Sequence, residues 1–421
     1  MQSSIKLRLT VMNFLQFAVW GAYLTSMGRY LGTAGFGSEI GNFYAMQGLV
    51  SLFMPALMGI VADRWIPAQR LLGVCHMLAG MLMLGVFLYT QTDTPSYPTL
   101  FALYSLSVAF YMPTLALSNS VAYTSLDQAG LDLVKSFPPI RVFGTVGFIC
   151  TMITVSLVGV EATSGQFAVS GIIGLVLAVY SQTLPNCPTA PKGQSKSLVE
   201  ALGLRAFVLF KQRKMALFFI FSMLLGVSLQ ITNGFANPFI STFGEIPAYA
   251  DTFGVKYANI LISLSQLSET LCILLIPFAL RRFGIRRVML IAMVAWVLRF
   301  ALLGLGNPGS GVWLFLLSMI VYGVAFDFFN VSGSLFVDKE TDPSIRSSAQ
   351  GLFMIMTNGI GATLGSLGAQ AVINRFVHTE HDTTAILAGW SMSWYVFAAY
   401  AAVVAVLFAL LFRYNTATEA K

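Results

Sequence analysis

Twelve apolar runs, each long enough to cross a bilayer, follow one another along this chain and leave little choice of fold. They lie at about 8–31, 40–62, 69–90, 98–121, 138–160, 166–185, 213–236, 255–280, 287–305, 312–336, 346–374 and 389–413. A helix needs ~20 apolar residues to span the ~30 Å hydrocarbon core. Strands of a membrane barrel would instead show ~10-residue stretches of alternating polarity, and these runs are continuous. Only 10% of the residues are charged, where soluble domains carry ~25%. The expected fold is an all-α membrane protein with twelve transmembrane helices. The first run follows Lys6 and Arg8 as a signal sequence would. It is too long for that, lacks a small-residue cleavage site, and is expected to stay as the first helix.

The net charge of +7 reports topology. With the N-terminus in the cytoplasm, all but five of the 24 Lys and Arg fall on the inner side or its border. Arg29, Lys256 and Arg375 fall outside, and Arg141 and Arg299 lie within spans. The positive-inside rule then sets the orientation, with both termini cytoplasmic. No nucleic-acid partner is implied. The four cysteines (Cys75, Cys150, Cys187 and Cys272) are isolated and suggest neither a disulfide nor a metal site. No cofactor is expected.

The longest polar connection, PNCPTAPKGQSKS at 185–197, continues to about Lys214 and has the composition of a flexible linker. It separates an N-terminal six-helix half (1–185) from a C-terminal one (213–421), with the linker at 186–212. The halves echo each other in order. Val108-Ala109-Phe110 returns as Val324-Ala325-Phe326, Pro138-Pro139-Ile140-Arg141 as Pro343-Ser344-Ile345-Arg346, and the basic loop DRWIPAQR as LRRFGIRR. A parallel six-plus-six repeat is the build of the major facilitator superfamily, whose site lies at the midplane between the halves. GIVADR at 59–64 looks like a degraded form of that superfamily's loop signature, without its later glycine. Gly144, Gly147, Gly361 and Gly365 are expected at close helix contacts, and most of the 34 Phe at packing positions.

Ionisable residues inside spans are different, because a charge at the bilayer centre costs at least ~2.5–3.5 kcal/mol. Two acids lie deep: Glu269 in the eighth run and Asp327 in the tenth. One reading is a fixed ion pair with Arg141 or Arg299. The other is a functional site, and helical spacing supports it. Gln266 and Glu269 share a face that Asn259, Ser263 and Thr270 extend. Gln230, Asn233 and Asn237 align in the seventh run, and Arg141, Thr145 and Phe148 in the fifth. Tyr322, Phe326 and Asn330 align in the tenth, with Asp327 beside them, and the first run offers Asn13, Gln16 and Trp20. Amides both donate and accept. Amide edges with aromatic faces suit a flat, polar, uncharged solute such as a base with its sugar. A phosphate ester would want more cations than Arg141 and Arg299 supply. Of the three histidines, His76 reads as a packed or cavity residue, and His378 and His381 lie in an outer loop.

The stretches FLQFAVWGAY, YMPTLALSNSVAY, SFPPIRVFGTVGF, SMLLGVSLQITN, SQLSETLCILLIPF and SMIVYGVAFDFFNVSGSLFV resemble the bacterial nucleoside:proton symporter family. This branch of the major facilitator superfamily holds the nucleoside and xanthosine permeases. The resemblance covers nearly the whole chain apart from the linker and the last residues. It implies a permease of the cytoplasmic (inner) membrane that imports nucleosides, purine or pyrimidine, with protons. It also implies substrate contacts from Arg141, Thr145 and Phe148, from Gln230 and Asn233, from Gln266 and Glu269, and from Tyr322 and Phe326, with Asp327 alongside. Gly234, directly after LQITN, departs from the pattern, where a bulkier residue is expected.

The expected function is a proton-coupled nucleoside importer working by alternating access, monomeric and surrounded by lipid. A carboxyl withdrawn from water holds a proton more readily, which makes Glu269 the expected proton site and Asp327 its coupling partner. The nearest alternative is a facilitator for another small polar solute such as a sugar. A membrane-embedded transferase would need a catalytic pair or metal site that the loops do not offer. A passive channel would leave both buried acids unexplained.

Overall fold

The computed structural model describes residues 2–189, 204–343 and 345–414. Much of the expected linker, residues 190–203, lies outside the described residues. The described part of it that follows forms a short 3-10 helix, Leu204–Lys211. Among the described residues every regular element is helical, as a bilayer requires of a chain that must satisfy its own backbone polar groups. Ten helical segments among the described residues are long and apolar enough to cross a membrane.

Two compact units are present, one comprising Met1–Thr33 with Leu49–Leu202, the other Ala34–Gly48 with Gly203–Lys421. The first contains α1 (Gln2–Gly21), α2 (Met27–Thr33), α4 (Met54–Arg64), α5 (Ala68–Tyr89), α6 (Tyr97–Gln128), α7 (Leu133–Leu157) and α8 (Gly165–Tyr180), while α3 (Ile40–Ser51) has most of its length in the second. The expected first span, 8–31, is thus α1 and the short α2 with a turn between them. The second breaks after Ser51, and Pro55 opens α4, a position where its missing N–H costs nothing.

In the first unit α1 packs against α7 and α8, and α5 against α6 and α8. Small residues set the closest approach. A Cβ on Gly147 would lie 2.1 Å from the Phe14 carbonyl oxygen, and one on Gly21 would lie 2.4 Å from that of Phe148. Gly144 is crowded by the Phe17 ring. These contacts carry the α1–α7 seam.

The second unit contains α9 (Arg213–Thr242), α10 (Ala258–Leu305), α11 (Val312–Glu340), α12 (Arg346–Met354), α13 (Ala362–Phe376) and α14 (Thr383–Leu411). The expected eighth and ninth spans run together in α10, which turns sharply at Gly284 (φ 74°, ψ 165°). Only glycine takes that backbone conformation without strain. Between α12 and α13 lies a π-helical stretch, Ile355–Gly361. It brings Gly361 and Thr357 against α9, where Cβ atoms on Gly361 and Gly365 would collide with the carbonyl oxygens of Met223 and Val227. As expected of the phenylalanines, many rings are core. Phe218 packs on Phe219, Phe329, Phe336 and Phe353.

Candidate functional site

In the first unit the candidate residues sit on α7. Arg141, Thr145 and Phe148 follow one another at helical spacing, and the Arg141 guanidinium lies 4.0 Å from the centre of the Phe17 ring of α1. A cation over an aromatic face is held there electrostatically. Gly144 makes that posture possible, since a Cβ there would meet both the Phe17 ring and Arg141 Nη1. Phe148 is buried and packs edge-on against Trp20, which in turn leans on Tyr111. Behind this aromatic row, His76 is fully buried. Its Nε2 is 2.7 Å from Gln16 Oε1, and Gln16 Nε2 donates to Thr114 Oγ1 at 2.7 Å. With the Gln16 amide nitrogen so engaged, its oxygen faces the ring and His76 Nε2 carries the proton. Gln16 holds the His76 ring in one orientation, and its Nδ1 is buried with no hydrogen-bond partner among the described residues.

The second unit holds the rest of the candidates. Asn233 Nδ2 donates to Gln230 Oε1 at 2.7 Å, one turn apart on α9. The bond spends one donor and one acceptor of the pair, and a further ligand would meet the Gln230 amide nitrogen and the Asn233 oxygen. Farther along α9, Asn237 donates to Asn259 of α10 at 3.0 Å, with both side chains fully buried. Gln266, Glu269 and Thr270 lie on α10, all half-buried, and Thr270 Oγ1 is bonded to the Gln266 carbonyl.

On α11 the Tyr322 and Phe326 rings stack with centroids 5.6 Å apart and planes 10° from parallel. Asp327 is buried, Glu269 acts electrostatically on both Asp327 and Tyr322, and Asp327 Oδ2 has no hydrogen-bond partner among the described residues. An ionised carboxylate left that way is costly.

At Gly234, where the resemblance led to the expectation of a bulkier residue, the space is taken. A Cβ there would stand 3.1 Å from the ring of Tyr44, which is itself fully buried. Tyr44 fills the room that a bulkier residue would take.

Arg299 is where sequence reasoning fell short. A buried arginine beside a buried acid invites an ion-pair reading, yet Asp327 and Arg299 form no ion pair among the described residues. Arg299 is buried, donates to the Ser318 carbonyl at 2.8 Å and to Ser265 Oγ at 3.3 Å, and lies 4.5 Å from the centre of the Tyr322 ring. Trp296 meets the same ring edge-on. Arg299 is therefore a shelf that fixes the tyrosine. A lone arginine in an apolar run signals importance, but nothing in spacing reveals which face it serves. Phe17 carried no signal at all. A desolvated cation–π contact is worth ~0.5–2 kcal/mol, so Arg299→Met is expected to weaken substrate affinity roughly two- to thirty-fold. Arg299→Lys should recover part of the loss, because it keeps charge but not the planar fork. Calorimetric binding on both variants checks this, and an unchanged dissociation constant in well-expressed Arg299→Met would sink it.

Long apolar helices make this a multi-pass membrane protein, and the solved transporters it superposes on give it the major facilitator fold. It shares that fold alone with an auto-inhibited POT family peptide transporter (TM-score 0.70, 16% identity, 98% of this chain and 97% of that one covered). The chain belongs to the nucleoside H+ symporter family, whose model matches residues 3–417. It is 49% identical to the xanthosine permease of Escherichia coli (strain K12) over 416 residues, covering 98% of this chain and 97% of that one. It is 46% identical to the nucleoside permease NupG of the same organism over 415 residues, with the same coverage. The crystal structure of the nucleoside transporter NupG superposes with a TM-score of 0.88 at 45% identity, covering 98% of this chain and all of that one.

Proposed function

We propose that this protein imports nucleosides together with protons across a bacterial inner membrane by alternating access, with both termini in the cytoplasm. In this reading it has twelve spans. Counting α10 as two at Gly284 and adding α1 to the other long apolar segments gives that number. Arg141, Thr145, Phe148, Gln230, Asn233, Gln266, Glu269, Tyr322 and Phe326 contact the ligand, and Glu269 and Asp327 couple it to the proton. The observation that carries the proposal is the grouping in the second unit of a bonded amide pair, a stacked Tyr322–Phe326 pair and two interacting acids. The amides match a base or ribose edge, the rings match a base face, and the acids take the proton. Support also comes from the relatives, which are permeases for nucleosides and xanthosine.

The test is competition for labelled uridine uptake by nucleosides, free bases, sugars and nucleoside monophosphates. Nucleosides are expected to compete, and monophosphates are expected not to, since a phosphate dianion would join two acids with few cations to balance it. A monophosphate competing as well as uridine would show the site residues to be wrongly assigned. Competition by sugars alone would favour a different polar solute.

A further inference from the structure

At the end of the second unit remote from the amide pair, a pocket of about 500 Å³ is lined by Arg213, Lys214, Leu217, Leu410, Leu411, Phe412 and Arg413. It lies where α9 begins and α14 ends. Gln230 is 17 residues farther along α9, which at 1.5 Å per residue is about 25 Å away, so this is a separate place from the candidate substrate site.

The lining has two characters. Among the described residues three cations line it, and Glu340, at the last turn of α11, is ion-paired with one of them, Lys214. Lys214 also faces the ring of Tyr414, at 5.4 Å from its centre. Arg213 and Arg413 are exposed, and neither makes an ion pair or side-chain hydrogen bond among the described residues. The carbonyl end of α14, which would otherwise lend negative partial charge, is already capped. Arg286 donates through Nε to the Phe412 carbonyl and through Nη2 to that of Ala409, both at 2.7 Å. Beside this cationic patch, Leu410 and Leu411 point outward, 64% and 45% exposed. A soluble anion would match the arginines and leave the leucines wet. A headgroup phosphate with acyl chains attached matches both, and basic pockets between membrane helices at the cytoplasmic side suit such headgroups.

We propose that this pocket binds the phosphate of an anionic phospholipid, held by Arg213 and Arg413, with its acyl chains lying on Leu410, Leu411 and Leu217. The inference rests on the orientation given above only in placing this end at the cytoplasmic leaflet. Its test involves no transport measurement, so it stands or falls apart from the nucleoside reading.

The experiment is native mass spectrometry of the full-length detergent-purified protein, delipidated and titrated with phosphatidylglycerol, cardiolipin, phosphatidylethanolamine or phosphatidylcholine. The wild type should retain the two anionic lipids and shed the two zwitterionic ones. Each basic residue near a lipid surface contributes about fivefold in binding, so Arg213→Gln/Arg413→Gln should cut retention by roughly twenty- to thirty-fold. A charge-matched control, Arg281→Gln/Arg282→Gln, alters exposed arginines beside the Gly284 break and should retain lipid as the wild type does. Equal losses in both double variants would mean general attraction to a basic surface and overturn the site. Displacement of phosphatidylglycerol by millimolar inorganic phosphate would make it a free-anion site and overturn the lipid assignment.

Discussion

Glu269→Gln is expected to equilibrate nucleoside across the membrane without concentrating it. A symporter accumulates substrate because loading and unloading are tied to binding and release of a proton. One proton moving down 100 mV supplies ~2.3 kcal/mol, roughly a fifty-fold concentration ratio at ~1.36 kcal/mol per tenfold. Glutamine copies the shape and neutrality of a protonated carboxyl, keeps one donor and one acceptor for the ligand, and cannot release a proton. In the second unit Glu269 is half-buried on the same face as Gln266 and interacts electrostatically with Asp327 and with Tyr322. Neutralising it removes the repulsion between the acids, and the remaining Asp327 is left in the less costly of its two situations. Substrate exchange should therefore survive while the accumulation ratio falls from about fifty toward one. Asp327→Asn should keep binding and slow the cycle, since Asp327 sits one residue off the Tyr322–Phe326 stripe. Uptake into vesicles with an imposed pH gradient, run with and without a protonophore, measures the ratio. If Glu269→Gln still concentrates nucleoside in response to the gradient, another group carries the proton.

The long apolar helices were legible because the bilayer imposes one length and one composition on every helix that crosses it. What hydropathy cannot report is the path of the backbone. The break after Ser51, the 48-residue α10 with its turn at Gly284, and the π-helical stretch at Ile355–Gly361 are changes of backbone direction or pitch that a hydropathy profile does not register. The polar faces were legible for a related reason. A residue that is expensive in lipid must point inward, so spacing by three or four converts directly into shared faces, and Gln230 and Asn233 are indeed bonded neighbours. Partners from other helices were not legible. Phe17 under Arg141, Arg299 against Tyr322 and Tyr44 over Gly234 join positions far apart in the chain, and no periodicity encodes which helix faces which.

Alanine at Gln230, Asn233 or Gln266 should weaken nucleoside binding roughly five- to a hundred-fold, the equivalent of ~1–3 kcal/mol for a buried hydrogen bond that loses one partner. The three will not respond alike. Asn233 donates to Gln230, so Asn233→Ala removes its own contact and also frees Gln230 to rotate, which loosens the edge presented to the ligand. Gln230→Ala strips away the acceptor that orients Asn233 and has the same double effect. Coupling follows: the double variant should lose less than the sum of the two singles. Gln266 is held by no such bond to either residue and should add to them independently. Asn237 supplies the contrast. It is fully buried and bonded to Asn259 across helices, so Asn237→Ala should lower thermal stability while leaving the dissociation constant near that of the wild type. Calorimetric titration with uridine, paired with a melting temperature for each variant, separates the two classes. Unchanged affinity in all three candidate variants would remove the amide face from the site. A drop in affinity for Asn237→Ala equal to theirs would mean that the alanines act through the fold and not through the ligand.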